Sequence, residues 1–204
     1  GAFAVPGLAS AKQAPSKVGL YANVGANLTH YDVDVAGAEL IKRETVTLPA
    51  GVQYAVAGST MAFSMPATEV SVDISLLPPN ITPVSGKATG AALGFFNEDG
   101  GGFVLANFAL DFKRGALIAD FTSPAGTSKA IDVFNFQIAQ GLQVSMNGGL
   151  SMNMDLNHMM LTTGAKNQFA SALGLEPFAV AAMGQLDFGT IAIDTTDFSG
   201  LVRD

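Results

Sequence analysis

Leu142 to Met160 reads LQVSMNGGLSMNMDLNHMM, and its alternation sets the fold class. From Leu150 the even positions are Leu150, Met152, Met154, Leu156, His158 and Met160, with Ser151, Asn153, Asp155 and Asn157 between them. That period of two gives one dry and one wet face, the pattern of a half-buried β-strand. Upstream, Leu142, Val144 and Met146 alternate with Gln143 and Ser145. A three-residue Asn147-Gly148-Gly149 loop sets Val144 opposite Met152, Leu142 opposite Met154 and Ser145 opposite Ser151. A one-residue slip would turn the apolar side chains to water, so that loop, with a glycine in the left-handed conformation, is the expected one.

The same reading extends outward. Val104, Ala106, Phe108, Leu110 and Phe112 share parity, and Arg114-Gly115 turns the chain. An even loop there places Phe112 opposite Leu117 and Leu110 opposite Ala119. Val70, Val72, Ile74 and Leu76 form a strand that Pro78-Pro79-Asn80 stops, and Met61, Phe63 and Met65 form one ended by Pro66. Ala38–Leu48 and Val18–Leu28 are further strands, the second changing parity near His30-Tyr31 as at a bulge or corner. Residues 1–16, rich in Ala, Gly and Pro, read as an arm or edge strand. One helix is expected near 163–173: Thr162 or Thr163 caps it, Ala165, Phe169, Ala172 and Leu173 line one side, and Gly174 closes it. Pro177 is expected to forbid a second helix close behind, and a last strand holds Leu186, Phe188, Ile191 and Ile193. The sum is an all-β chain of roughly 10–12 strands, read as a two-layer antiparallel β-sandwich with one short C-terminal helix. Residues 17–204 form a single domain in this reading, with a possible internal crossover at 77–80.

Composition narrows the function. Of 204 residues 49% are hydrophobic and 13% charged, which disfavours disorder. A net charge of −7 disfavours nucleic acid and anionic membrane surfaces. The absence of cysteine excludes disulfides, thiolate metal sites and cysteine nucleophiles. No apolar run reaches the length of a transmembrane helix, and the opening GAFAVPG shows no signal peptide.

Candidate chemistry is sparse. No nucleophile elbow, phosphate loop or zincin motif occurs, and only two histidines are available for a triad. Met152, Met154 and His158 offer thioether and imidazole ligands suited to copper, against the plainer reading that the methionines fill a core. His30 and Tyr31 are the residue types of a ferric haem site, and act together only if the nearby bulge re-aims one of them. Asp32 and Asp34, and the loop Asn97-Glu98-Asp99-Gly100, offer hard oxygen ligands for calcium. Ordinary turn chemistry explains that loop equally well. No cofactor is the leading expectation.

The segment LTTGAKNQFASALGLEPFAVAAMGQLDFGTIAI, Leu161 to Ile193, resembles the close of β domains in exported bacterial proteins with PEP-CTERM-type sorting signals. Its order is a strand, an Ala-rich helix ending in Gly, a Pro-Phe-Ala segment and a final strand. The pattern is also similar to the close of HtaA-type haem-binding domains. The resemblance implies an exported bacterial β protein and adds to the haem reading. The chain departs from HtaA in lacking the Trp-Gly opening and the early Arg-bearing helix, so no haem-ligand position carries over.

The expected function is therefore non-enzymatic. The chain is read as an extracellular, cell-surface or periplasmic protein that is structural or assembles through strand edges, with itself or another surface protein as partner. The alternative is a binding module for an apolar ligand such as haem, or for copper.

Overall fold

The computed structural model describes residues 14–22, 32–36, 39–47, 57–97, 100–145 and 151–195. In chain order its elements are β1 (Ala14–Ala22), β2 (Asp32–Ala36), β3 (Glu39–Thr47), β4 (Ala57–Ala67), β5 (Glu69–Leu76), β6 (Pro79–Phe96), β7 (Gly102–Asp111), β8 (Ala116–Ser123), β9 (Gly126–Ser145), β10 (Ser151–Leu161), α1 (Thr163–Leu173), α2 (Pro177–Met183) and β11 (Ile191–Thr195). Among the described residues all strand pairs are antiparallel and belong to one eleven-stranded sheet, ordered β2-β6-β7-β8-β9-β10-β11-β1-β4-β3 with β5 also paired to β6.

The expected antiparallel all-β architecture is present, but as one curled half-barrel sheet and not specifically as two stacked layers. The curl brings distant strands together. Phe63 of β4 meets Phe95 of β6 edge-on, with centroids 6.4 Å apart. Thr68 alone links β4 to β5. Its backbone N–H donates to the Lys87 carbonyl at 2.8 Å, and its hydroxyl accepts from the Thr89 N–H at 3.0 Å. One residue thus carries the chain between strands far apart in the sheet order.

Several local expectations hold. Ser145 pairs with Ser151 and Val144 with Met152, as the three-residue loop demands; the loop itself lies outside the described residues. Met152, Met154 and Leu156 are buried. Helix α1 begins at the Thr162 cap, whose hydroxyl accepts from the Ala165 N–H at 3.1 Å, and ends at Gly174 with φ of 64°. Ala165 and Phe169 are its buried face, and Phe169 stacks on Phe103 at 4.2 Å and Phe121 at 5.7 Å. Helix α1 thereby covers part of the interior of the curl.

Other expectations are corrected, and prolines account for three. Pro177 opens a second helix instead of forbidding one, because at the first helical position its missing N–H would have had no partner anyway. Pro66 does not end its strand: it sits opposite Pro15, and β3 stops at the partner of Ser64, so the missing N–H disturbs no ladder beyond. Pro78-Pro79 mark neither boundary nor crossover. Leu76 pairs with Pro79, so Leu77-Pro78 is the tight turn of the β5–β6 hairpin.

Bulges account for the changes of parity. Asn107, Ala130 and His158 have φ of 54°, 52° and 50°, and each falls at a register shift in β7, β9 or β10. An inserted residue reverses strand parity. Before Asn107 the buried residues are Phe103 and Leu105, after it Phe108, so the even set from Val104 to Phe112 is not one continuous face. Leu110 pairs with Leu117, not Ala119, across the four-residue turn Phe112–Gly115. Asp120 of β8 braces two of these bulges. Its carboxylate accepts from the Asn107 side-chain amide and from the Ala130 N–H, both at 2.8 Å. The Asn107 hydrogen bond, then that of Ala130, hold the Asp120 pKa below its ordinary value.

Candidate functional site

Residues of β4 to β11 line a partly open cavity of about 80 Å³ inside the curl. Its walls are almost wholly apolar: Phe108, Leu117 and Phe134 from the central strands, Phe112 from the β7–β8 turn, and four methionines, Met65, Met152, Met154 and Met159. These four thioethers come from two strands distant in sequence, β4 and β10. Unbranched and polarizable, they fill irregular space and re-pack around a guest more readily than branched side chains. A cavity lined this way favours small apolar molecules, because almost none of the surface they would cover is polar.

Two hairpins contribute a second apolar group at one side of the cavity. Val70, Val72, Ile74 and Ile81 from β5–β6 pack against Leu142, Val144 and Met152 from β9–β10 as a small apolar cluster beside the main core. In the cavity lining, Val72 and Met152 are buried, Val70, Pro83, Lys87 and Leu142 are half-buried, and Asn153 is exposed. Lys87 and Glu69 are the charged side chains of that lining. They face each other in register across β5–β6, with Nζ 4.0 Å from Oε2.

The structure separates most of the sequence candidates. Met152 and Met154 line the cavity, 3% and 2% exposed. His158 does not join them. Its bulge turns it outward, where Nδ1 lies 2.8 Å from Asp187 Oδ2, and Met159 takes the interior position, 0% exposed. The copper set Met152, Met154 and His158 therefore shares no face, and the methionines serve as lining. Asp32 and Asp34 lie in β2, in register with Phe96 and Gly94. Among the described residues no group of three or more His, Asp or Glu side chains is placed to hold a metal. Asn97 plays a structural part. Its side chain accepts from the Gly101 N–H at 2.7 Å and donates to the Leu173 carbonyl at 3.0 Å, tying the β6–β7 loop to the end of α1. His30 and Tyr31 lie outside the described residues.

The cavity was legible in the sequence only as apolar positions. Glu69 and Lys87 were missed, because nothing local marks a charge in one strand as the register partner of a charge 18 residues on.

No family model and no curated protein sequence matches the chain. Two solved structures resemble it. The C-terminal domain of HtaA from Corynebacterium glutamicum has 14% identity and a TM-score of 0.51, over 92% of this chain and 98% of that one. A domain-swapped dimer of a histidine-to-alanine variant of the same domain has 13% identity and a TM-score of 0.47, over 84% and 86%. The fold is thus similar to that of an HtaA C-terminal domain, in agreement with the resemblance of Leu161 to Ile193. No described histidine or tyrosine is among the residues that line the cavity. Among the described residues no helix is long and apolar enough to cross a membrane.

Proposed function

We propose that the chain is a non-catalytic binding module of an exported or surface-located bacterial protein, and that it takes a small apolar molecule or a single hydrocarbon chain into the curl of its sheet. The cavity carries this reading: about 80 Å³ of space walled largely by phenylalanines, methionines and aliphatic side chains. The HtaA-like fold and closing pattern support a bacterial surface setting.

Assembly through strand edges is the weaker reading. The described edge strands carry charges in their sequences, Lys42, Arg43 and Glu44 in β3 and Asp32 and Asp34 in β2. Charges there discourage edge-to-edge pairing.

The test is titration of the intact chain with a neutral dye whose emission rises in apolar surroundings, followed by competition with decane. Saturable binding that decane reverses is expected. A folded protein that enhances no emission refutes the reading. A parallel haem titration separates the alternative. A Soret band abolished by Tyr31→Phe or His30→Ala would replace the hydrocarbon reading with a haem site built by residues outside the described cavity.

A further inference from the structure

We propose that the cavity's preferred guest is a single uncharged aromatic ring, held against Phe108 and the thioether side chains of Met65, Met154 and Met159. The inference rests on the cavity being a ligand site and adds the ligand's chemical class.

Phe108 carries the inference. It lines the cavity from β7 and is buried. Every other buried phenylalanine among the described residues packs against a second ring. In the same lining Phe134 meets Phe188 at 5.3 Å, and Phe112 meets Phe136 edge-on at 6.1 Å. Phe108 meets no ring among the described residues. Its cross-strand partner in β6 is Ala88, which also lines the cavity, so a methyl group and not a bulky side chain stands beside the ring. Bulges put both kinds of group in place. The register shift at Asn107, braced by Asp120, reverses the parity of β7 and turns Phe108 inward. The shift at His158 does the same for Met159 in β10. Bulges re-aim side chains in this way beside binding sites.

An aromatic guest gains from these groups what a saturated one cannot. Two rings attract beyond the area they bury when they lie offset or edge to face, because the positive edge of one meets the negative face of the other. A thioether sulfur near a ring edge adds a second attraction of similar size. Met65 from β4 and Met154 and Met159 from β10 bring three thioether side chains to one space. A flat ring also needs less widening of a cavity of about 80 Å³ than a puckered saturated ring of the same carbon number. Burial alone favours the opposite order, because the saturated ring presents the larger apolar surface. The two effects therefore predict opposite rankings of toluene and methylcyclohexane, which share a carbon skeleton and carry no charge.

The test uses the intact chain and displacement of the neutral dye by toluene, methylcyclohexane and decane. Toluene is expected to displace at a concentration about fivefold below methylcyclohexane. With isotope-labelled methionine methyl groups, toluene is expected to shift the magnetic resonance signals of Met65, Met154 and Met159 by its ring current, and methylcyclohexane to produce no such shift. Phe108→Leu is expected to reduce the preference for toluene to about twofold or less. Equal potency of the two rings on the wild-type chain overturns the proposal, as does a preference for methylcyclohexane. Methionine signals that toluene leaves in place also overturn it, since the arene then binds elsewhere, and so does an unchanged preference in a folded Phe108→Leu protein. If decane displaces the dye and neither ring does, the aromatic proposal fails and the hydrocarbon-chain reading stands. If none of the three displaces it, the cavity reading itself fails, so the two failures are distinct. The wild-type ranking and the methyl signals decide the matter should Phe108→Leu fold poorly.

Discussion

Ala88→Leu tests the cavity from the inside. Ala88 is 9% exposed and lines the cavity in β6, beside the bend where the pairing with β7 shifts. Three added carbons would occupy space that a guest would otherwise take. Void volume costs about 24 cal/mol per Å³. Closing all of the 80 Å³ would therefore stabilise the chain by about 2 kcal/mol, an upper bound for one leucine. The expected result is an unfolding free energy higher by up to that amount, read as a raised urea midpoint at unchanged slope. Dye affinity should fall by about tenfold or more in the same variant. The two readouts must move in opposite directions, since one side chain both fills the void and excludes the ligand. A leucine variant that loses stability by more than about 1 kcal/mol, as overpacking does, while still binding dye as before is the contrary outcome. The space would then be neither empty nor the binding site.

Three further outcomes follow from the fold. Phe169→Ala should cost about 3–5 kcal/mol in urea unfolding, because Phe169 stacks on both Phe103 and Phe121; a cost below about 1 kcal/mol would mean that α1 does not anchor the curl. The double change Met152→Leu and Met154→Leu should cost less than about 1.5 kcal/mol per site and leave Cu(I) uptake unchanged, as befits core lining, with a fall in copper binding as the contrary result. Acid should weaken the fold through Asp120. Its folded-state pKa lies below the ordinary carboxylate value, so its stabilising contribution is complete above the unfolded pKa, near 3.8, and is lost as pH falls through the lower folded value. Asp120→Asn should therefore flatten the decline in urea midpoint below about pH 4 and lower the plateau above it. An identical pH profile in the two proteins would remove Asp120 as a source of acid sensitivity.

Much of this protein is legible in its residues alone. Alternation established antiparallel strands, because side chains on a pleated strand repeat every two residues whatever the tertiary setting. The Thr162 cap and Gly174 gave α1 its ends, since both signals act within one helical turn. Ser145 opposite Ser151 followed from loop length and parity alone. Where parity reverses and which strands meet are matters of tertiary structure. Asn107, Ala130 and His158 are neither glycines nor otherwise marked as bulges. The left-handed backbone at Asn107 and Ala130 is supported by Asp120 from the neighbouring strand, a partner that no local pattern names. His158 shows the consequence most clearly. Read as a strand residue it belongs with Met152 and Met154 inside; one inserted residue puts Met159 there and leaves the imidazole outside with Asp187. The cavity is likewise a product of the curl, since Met65 of β4 and the three methionines of β10 line one space only when strands far apart in sequence close around it.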